Sequence, residues 1–242
     1  MTGGTTLQLH SFPEGGIAAI AGATGAIGNA LLTALKASGR FREVIGLSRG
    51  GSPRLDLLDE ECIATAAQHV AGMKGDLRLF IDATGFLYND AFSPEKSLKQ
   101  ISAAQMAHAF ALNATGPALL MKHFLPLLPR EGKSVFATLS ARVGSIGDNK
   151  AGGWYSYRAS KAALNQILRS AAIETARRKP DAICLALHPG TVESPLSAPF
   201  QKKGLIARAP ESAARELLAV VDRADAGNNG SFLDYKGEVL PW

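Results

Sequence analysis

The chain has 242 residues, 46% of them hydrophobic and 19% charged, and its 26 Lys and Arg against 21 Asp and Glu give a net charge of +5. That apolar share supports a packed core and excludes a disordered, fibrous or acidic solvating chain. The two cysteines, Cys62 and Cys184, exclude a disulfide framework and a four-thiolate zinc site and suit a reducing, cytoplasmic setting.

In chain order, Met1 to Gly16 is polar and Gly-rich, with no basic segment ahead of an apolar one. It reads as a flexible lead over residues 1–15 to one domain over 16–242, not as a secretory signal. Ile17–Ala21 is a short continuous apolar run, the pattern of a strand buried on both faces. No charge occurs from Ile17 to Leu35, but Gly22, Thr24, Gly25, Gly28 and Asn29 interrupt the stretch, so a membrane span is not expected. The alternative is a strand, a glycine turn and a helix over Ile27–Ser38 stopped by Gly39. The turn has the spacing G-x-x-G-x-x-G through Gly22, Gly25 and Gly28, with Thr24 and Ile27 between them. Small residues there let backbone amides approach a pyrophosphate at the positive end of the following helix. An ordinary tight turn with close helix packing uses the same glycines.

The second strand, Val44–Ser48, ends on Leu47-Ser48-Arg49. No acid stands there to hold a ribose 2′-hydroxyl, and the Arg49 guanidinium can meet a 2′-phosphate. This favours NADP(H) over NAD(H), the alternative being a plain surface arginine. Only six residues separate Ser48 from Leu55, too few for a helical crossover, so the third strand is expected as a stub with no helix before it. A helix over Asp59–Ala71, a strand over Leu77–Ala83 and a long helix over Ser97–Leu128 follow. Strands at Ser134–Leu139 and Ala182–His188 flank a helix over Tyr155–Arg178, and a last helix covers Pro210–Asp222. Apolar strands alternating with helices predict an α/β fold, a doubly wound parallel sheet in a single domain.

Several side chains carry no chemistry on this reading. Arg177-Arg178-Lys179 sits before Pro180 at a helix end, where cations face the negative pole, so a nucleic-acid partner is not expected. The five histidines show no ligand spacing, so no metal is expected, and His188 is read as structural. The long segment Thr191–Ala209 reads as a functional loop, with Lys202, Lys203 and Arg208 either drawing an acidic substrate or forming a solvated face. Trp154 and Phe200 offer an apolar substrate wall or core packing.

The chemistry concentrates in Tyr157-Arg158-Ala159-Ser160-Lys161, where the phenol and the ammonium fall four residues apart on one helix face. A cation beside a phenol stabilises phenolate and lowers its pKa, tuning it to exchange a proton with a carbonyl or alcohol oxygen. Tyr155 lacks this partner, since Ala159 stands four residues on.

The glycine turn, Asn113 in the helix before the Ser134–Leu139 strand, Tyr157 with Lys161, and Pro189-Gly190 resemble, in that order, the motifs of the short-chain dehydrogenase/reductase family. The stretch from Ser145 to Arg158 resembles its branch of C-factor-like and sniffer-type carbonyl reductases. The resemblance implies a Rossmann-type fold and an oxidoreductase that moves a hydride between NADP(H) and a small-molecule carbonyl or alcohol substrate. It makes Tyr157 the general acid/base and gives Lys161 the nicotinamide ribose hydroxyls. Asn113 would hold a water relaying protons from Lys161, and Pro189, Gly190, Val192 and Ser194 would border the nicotinamide. Asp56 and Leu57 would meet the adenine. Ala83 and Gly85, in the turn Asp82-Ala83-Thr84-Gly85, would let the backbone approach the cofactor. Asp82 stands where the family has an amide, and is expected to bind backbone amides. The family's serine beside the reacting oxygen falls on Ala141, which leaves Ser140 as first choice and Ser145 as second. Relatives dimerise through the equivalents of the long helices, so a homodimer or homotetramer is implied. The alternative function is a non-catalytic dinucleotide-binding signalling or regulatory protein of C-factor-like type.

Overall fold

Side chains leave alternate faces of a strand, so a sheet covered by helices on both sides needs apolar residues at nearly every position. The computed structural model describes residues 7–200 and 207–242 and shows this arrangement. Strands β1 (Ile17–Ala21), β2 (Glu43–Leu47), β3 (Leu77–Asp82), β4 (Ser134–Leu139), β5 (Ala182–His188) and β6 (Ser231–Asp234) form one parallel sheet in the order β2-β1-β3-β4-β5-β6. Helices α1 (Ala26–Ser38) and α6 (Pro210–Arg223) cover one face, meeting Ala18, Ile20, Leu79, Ile81, Val135 and Ala137. Helices α2 (Glu60–Ala71), α4 (Gly116–Phe124) and α5 (Tyr155–Ala176) cover the other, around Phe80, Phe124 and Phe136. Phe80 stacks on Phe136 at a centroid distance of 5.0 Å and meets Phe124 tilted at 4.2 Å, and each buried phenyl stabilises the fold by about 1.5–3 kcal/mol.

The expected gap after β2 is present: an isolated parallel bridge between Ser48 and Arg54 is all that remains of the extra strand, and no helix precedes it. Asp59 caps α2, its carboxylate accepting from the Cys62 amide at 3.1 Å.

Two expectations need correction, and one element is new. Of the lead over residues 1–15, residues 7–15 belong to the folded body, because Leu9 and Phe12 are buried against the α1/α6 face and Ser11 hydrogen-bonds Asp222. Residues 1–6 lie outside the described residues. The helix over Ser97–Leu128 is broken into a 3₁₀ turn at Leu98–Gln100, α3 (Ala103–Phe110), a π segment at Ala111–Thr115, α4 and a final 3₁₀ turn. Ser102 caps α3 afresh, and Pro117, lacking an N–H, cannot bond back to the Asn113 carbonyl as an α-helix requires. Strand β6 was not anticipated, since four residues after a Gly/Asn turn give little pattern.

Among the described residues no helix is long and apolar enough to cross a membrane, and no group of three or more His, Cys, Asp or Glu could hold a metal ion.

Candidate active site

In an open α/β sheet the ligand crevice lies beyond the carboxyl ends of the strands. The sequence-selected site residues fall in the segments that follow β1, β2, β3, β4 and β5, or on α1, the π segment and α5.

At the end of β1, Gly22 has φ of +77° and its amide donates to the Leu47 carbonyl at 2.9 Å. Gly25 occupies the cap position of α1 with no side-chain cap. A Cβ on Gly28 would lie 2.2 Å from the Gly22 carbonyl oxygen, so turn and helix touch backbone to backbone. Thr24 and Gly25 are exposed, Ile27 packs on the core, and the first amides of α1 have no carbonyl partner within the helix.

Beyond β2, Ser48 is partly exposed and Arg49 fully so. Asp56 is engaged locally: one carboxylate oxygen accepts from the Leu58 amide at 3.1 Å and the other pairs with Arg54 at 2.9 Å. Leu57 is half-buried against α4, where a Cβ on Gly116 would come within 2.8 Å of it.

At the end of β3 the buried Asp82 accepts from the Thr84 amide at 3.0 Å, from the Thr84 hydroxyl, and from the Thr138 hydroxyl at 2.7 Å. The acid thus fastens the turn to β4, as expected, while the Ala83 amide donates to Ala21. Gly85 keeps the approach open: a Cβ there would stand 3.8 Å from Lys161 Nζ and 3.9 Å from Asn113 Oδ1. Asn113 and Lys161 therefore converge on one point.

Asn113 is fully buried, and its side chain is fully used. Its oxygen accepts from the Phe86 amide at 2.8 Å, and its nitrogen donates to the Phe86 carbonyl at 2.8 Å and Ser160 Oγ at 3.1 Å. It ties the turn after β3 to α5. Lys161 is 3% exposed, and its Nζ donates to the Leu139 carbonyl at 2.8 Å. Burial pulls its pKa down to about 8, with the negative charge of Asp82 opposing. Tyr157 lies one turn earlier on α5 and is half-buried. Desolvation pushes its phenol up to about 12. This corrects the expectation of an acidified phenol: burial raises it, one Nζ donor of Lys161 goes to Leu139, and no described protein group hydrogen-bonds the Tyr157 hydroxyl.

Neither serine candidate is free. The Ser140 amide still bonds across the sheet to Leu187, and its Oγ donates to Asn165 Oδ1 at 2.6 Å in the core. Ala141 follows in extended conformation, so alternation turns it the other way, without a hydroxyl. Ser145 accepts from the Asp148 amide at 3.1 Å and donates to the Trp242 carbonyl at 3.4 Å. Ser140→Ala should therefore change turnover less than about threefold while destabilising the fold by about 1–3 kcal/mol, because Asn165 Oδ1 loses its buried donor. A loss of about 10²–10³ in rate, the cost of removing a donor to the reacting oxygen, would reinstate Ser140 in that role.

At the end of β5, Pro189 and Gly190 pack under Arg208, whose guanidinium lies 3.7 Å from the Tyr235 ring, pairs with Glu216 and donates to the Pro189 carbonyl at 3.4 Å. Arg208 also bridges to Val192. It is a strut for the loop and is not available to attract an acidic substrate. Lys202 and Lys203 lie outside the described residues. Ser194 Oγ accepts from the Ser197 amide at 3.2 Å. His188 Nδ1 accepts from the Arg142 amide at 3.3 Å, and burial pulls its pKa down to about 4, so it is a neutral, structural histidine.

An aromatic wall stands beside Tyr157. The Trp154 ring lies 6.2 Å from Tyr157 and 5.3 Å from Phe200, and Tyr88 lies 5.3 Å from Phe200 while donating its hydroxyl to Pro195 at 2.6 Å. The sequence pointed to Trp154 and Phe200 but not to Tyr88, Glu95 or Asn165. Of these, only Asn165 had a local signal, falling four residues beyond Lys161 on the same helix face.

The family model described as Enoyl-(Acyl carrier protein) reductase matches residues 19–233. The C-signal protein of Myxococcus xanthus is 36% identical over 146 residues, 60% of this chain and 84% of that one. The 1-hydroxy-2-glutathionyl-2-methyl-3-butene dehydrogenase of a Rhodococcus species is 28% identical over 78% of this chain and 79% of that one. Among solved structures, an NADPH-bound carbonyl reductase from chicken fatty liver superposes with a TM-score of 0.83 at 23% identity, covering 100% of both chains. The carbonyl reductase Sniffer of Drosophila melanogaster gives 0.80 at 20% identity, over 95% of this chain and 100% of that one.

Proposed function

Because the chain belongs to the short-chain dehydrogenase/reductase family and is an oxidoreductase of that type, we propose that it reduces a small-molecule carbonyl with NADPH, Tyr157 donating the proton. The observation that carries this reading is the placement of Tyr157 and Lys161 one turn apart on α5, with Lys161 Nζ, Gly85 and Asn113 meeting at the mouth of the glycine-lined crevice.

The chain fits a dinucleotide. The Gly22–Gly28 contact leaves no room for side chains between turn and helix, and the uncapped first turn of α1 presents amides for phosphates. Arg49, exposed past β2, is the cation for a 2′-phosphate. NADPH, when bound, supplies the hydride. Lys161, protonated at neutral pH, would hold the ribose hydroxyls with the Nζ donors that Leu139 leaves free. The Tyr157 phenol, pushed up to about 12 by burial, keeps its proton at neutral pH and can donate it to a carbonyl oxygen. The aromatic wall of Trp154, Phe200 and Tyr88 would receive the apolar part of the substrate.

Paired titration with NADPH and NADH, followed by a panel of aldehydes, ketones and quinones, tests the reading. The expected result is tighter binding of NADPH and its oxidation by some member of the panel. Tighter NADH binding would remove the role given to Arg49. Cofactor binding without turnover of any carbonyl is the outcome the non-catalytic alternative requires, and Ala141 is the feature that motivates it.

A further inference from the structure

Helix α5 starts in an unusual way. Trp154 occupies its cap position with φ of +53° and ψ of 43°, and Gly152 and Gly153 before it are also left-handed. A bulky side chain rarely accepts that region, and Trp154 offers no side-chain cap to the amides that follow. Arg158, within the first turn of α5, donates to the Gly152 and Gly153 carbonyls, and the Trp154 and Ser156 amides are held from outside the helix.

Glu95, on the segment between β3 and α3, holds them. Its carbonyl accepts from the Trp154 amide, and its carboxylate accepts from the Ser156 amide at 3.2 Å and from the Ser156 hydroxyl. One residue thus gathers three donors of the first turn of the helix that carries Tyr157. Glu95 is 2% exposed, and no lysine, arginine or histidine pairs with it among the described residues. Its charge is answered by the positive pole of α5. The segment that carries it is itself fixed, by Gln105 donating to the Ser93 carbonyl at 2.7 Å and by the Ser97/Gln100 capping box.

We infer that Glu95 is a positioning residue for the reaction, clamping the start of α5 so that the Trp154 indole and the Tyr157 phenol face the same substrate. The inference rests on the function proposed above, and it gives that site a determinant 61 residues before Ser156 in sequence. Tyr157 directly follows Ser156, and Trp154 is the ring that links Tyr157 to Phe200. Loosening the clamp displaces both the wall and the acid, without touching the glycine turn.

The test compares Glu95→Ala with Glu95→Gln, whose amide oxygen still accepts from Ser156. In a Trp242→Phe background Trp154 is the only tryptophan, and its quenching by acrylamide reports the wall. In Glu95→Ala the quenching constant should rise about threefold or more, and kcat/KM for the best carbonyl should fall about tenfold or more, since small misplacements of reacting groups are costly. NADPH affinity should stay within about twofold. Glu95→Gln should return all three readouts to within about threefold of the parent. If Glu95→Ala does not fold, Glu95→Asp, one methylene shorter, should move quenching and kcat/KM in the same directions. A drop in Tm with unchanged quenching and kcat/KM would reduce Glu95 to a structural cap and overturn the inference. So would a fall in NADPH affinity that tracks the loss of activity. Absence of carbonyl turnover in the parent would remove the proposed function, while the quenching arm would still decide whether Glu95 sets Trp154.

Discussion

Tyr157→Phe is expected to lower carbonyl turnover by about 10²–10⁴-fold, the usual worth of a positioned proton donor, with NADPH affinity within about twofold of the parent. Phenylalanine removes one oxygen and keeps the ring that packs on Trp154, and no described protein group bonds to that oxygen. Folding should be indifferent to the change, and any loss in rate belongs to chemistry. Steady-state NADPH oxidation with parallel cofactor titration separates the two. The pH profile assigns the partner. Lys161 has its pKa pulled down to about 8 by burial while Tyr157 sits near 12, so the descending limb of the reduction rate belongs to Lys161. Its ammonium is complete well below 8 and is lost as pH rises through that value, and Lys161→Met should abolish the limb along with most of the rate. A Tyr157→Phe rate within tenfold of the parent would leave the phenol without its role.

What the sequence disclosed about this site is what local spacing encodes. Four residues on a helix place Tyr157 and Lys161 on one face, and a strand running into three spaced glycines places the crevice, whatever lies elsewhere in the chain. The short gap after β2 was legible for the same reason: six residues cannot make a crossover. The direction of the Ser140 hydroxyl was not, because it depends on β4 continuing its pairing for one more residue, to Leu187. The break in the Ser97–Leu128 segment had a visible cause in Pro117, but apolar periodicity runs through it and hides the change. Leu9 and Phe12 look like isolated apolar residues in a polar lead until α1 and α6 supply the face they cover. Glu95 gave no signal at all: the start of α5 at Tyr155 was legible, but the acid that holds it lies 61 residues before Ser156. The phenol was the chief error of electrostatics: sequence adjacency suggested a cation that lowers its pKa, whereas burial raises it and the cation has turned to a backbone carbonyl.

Gly28→Val should reduce affinity for NADPH and NADH alike by about 10²-fold or more, as expected when the amides that face a phosphate are displaced. A Cβ at this position would lie 2.2 Å from the Gly22 carbonyl oxygen and 3.2 Å from Ala23 Cα, and both atoms belong to backbone. The Gly22 strand end cannot yield, because its amide is bonded to Leu47 and its other side rests on the Ala83 carbonyl. Helix α1 must therefore move outward, and its first-turn amides leave the place where a pyrophosphate sits. Overpacking of this kind costs about 1–3 kcal/mol, which for a chain of this length lowers Tm by several degrees and leaves the protein folded at the temperature of a binding titration. Gly39→Ala provides the contrast at the other end of the same helix. A Cβ there meets nothing within 4 Å, but φ is +64°, so the substitution strains the backbone by about 1–2 kcal/mol and leaves the crevice untouched. Comparable losses of Tm with cofactor affinity lost only in Gly28→Val would place the binding function at the turn. Equal affinity in both variants would mean that close contact between turn and helix serves packing alone.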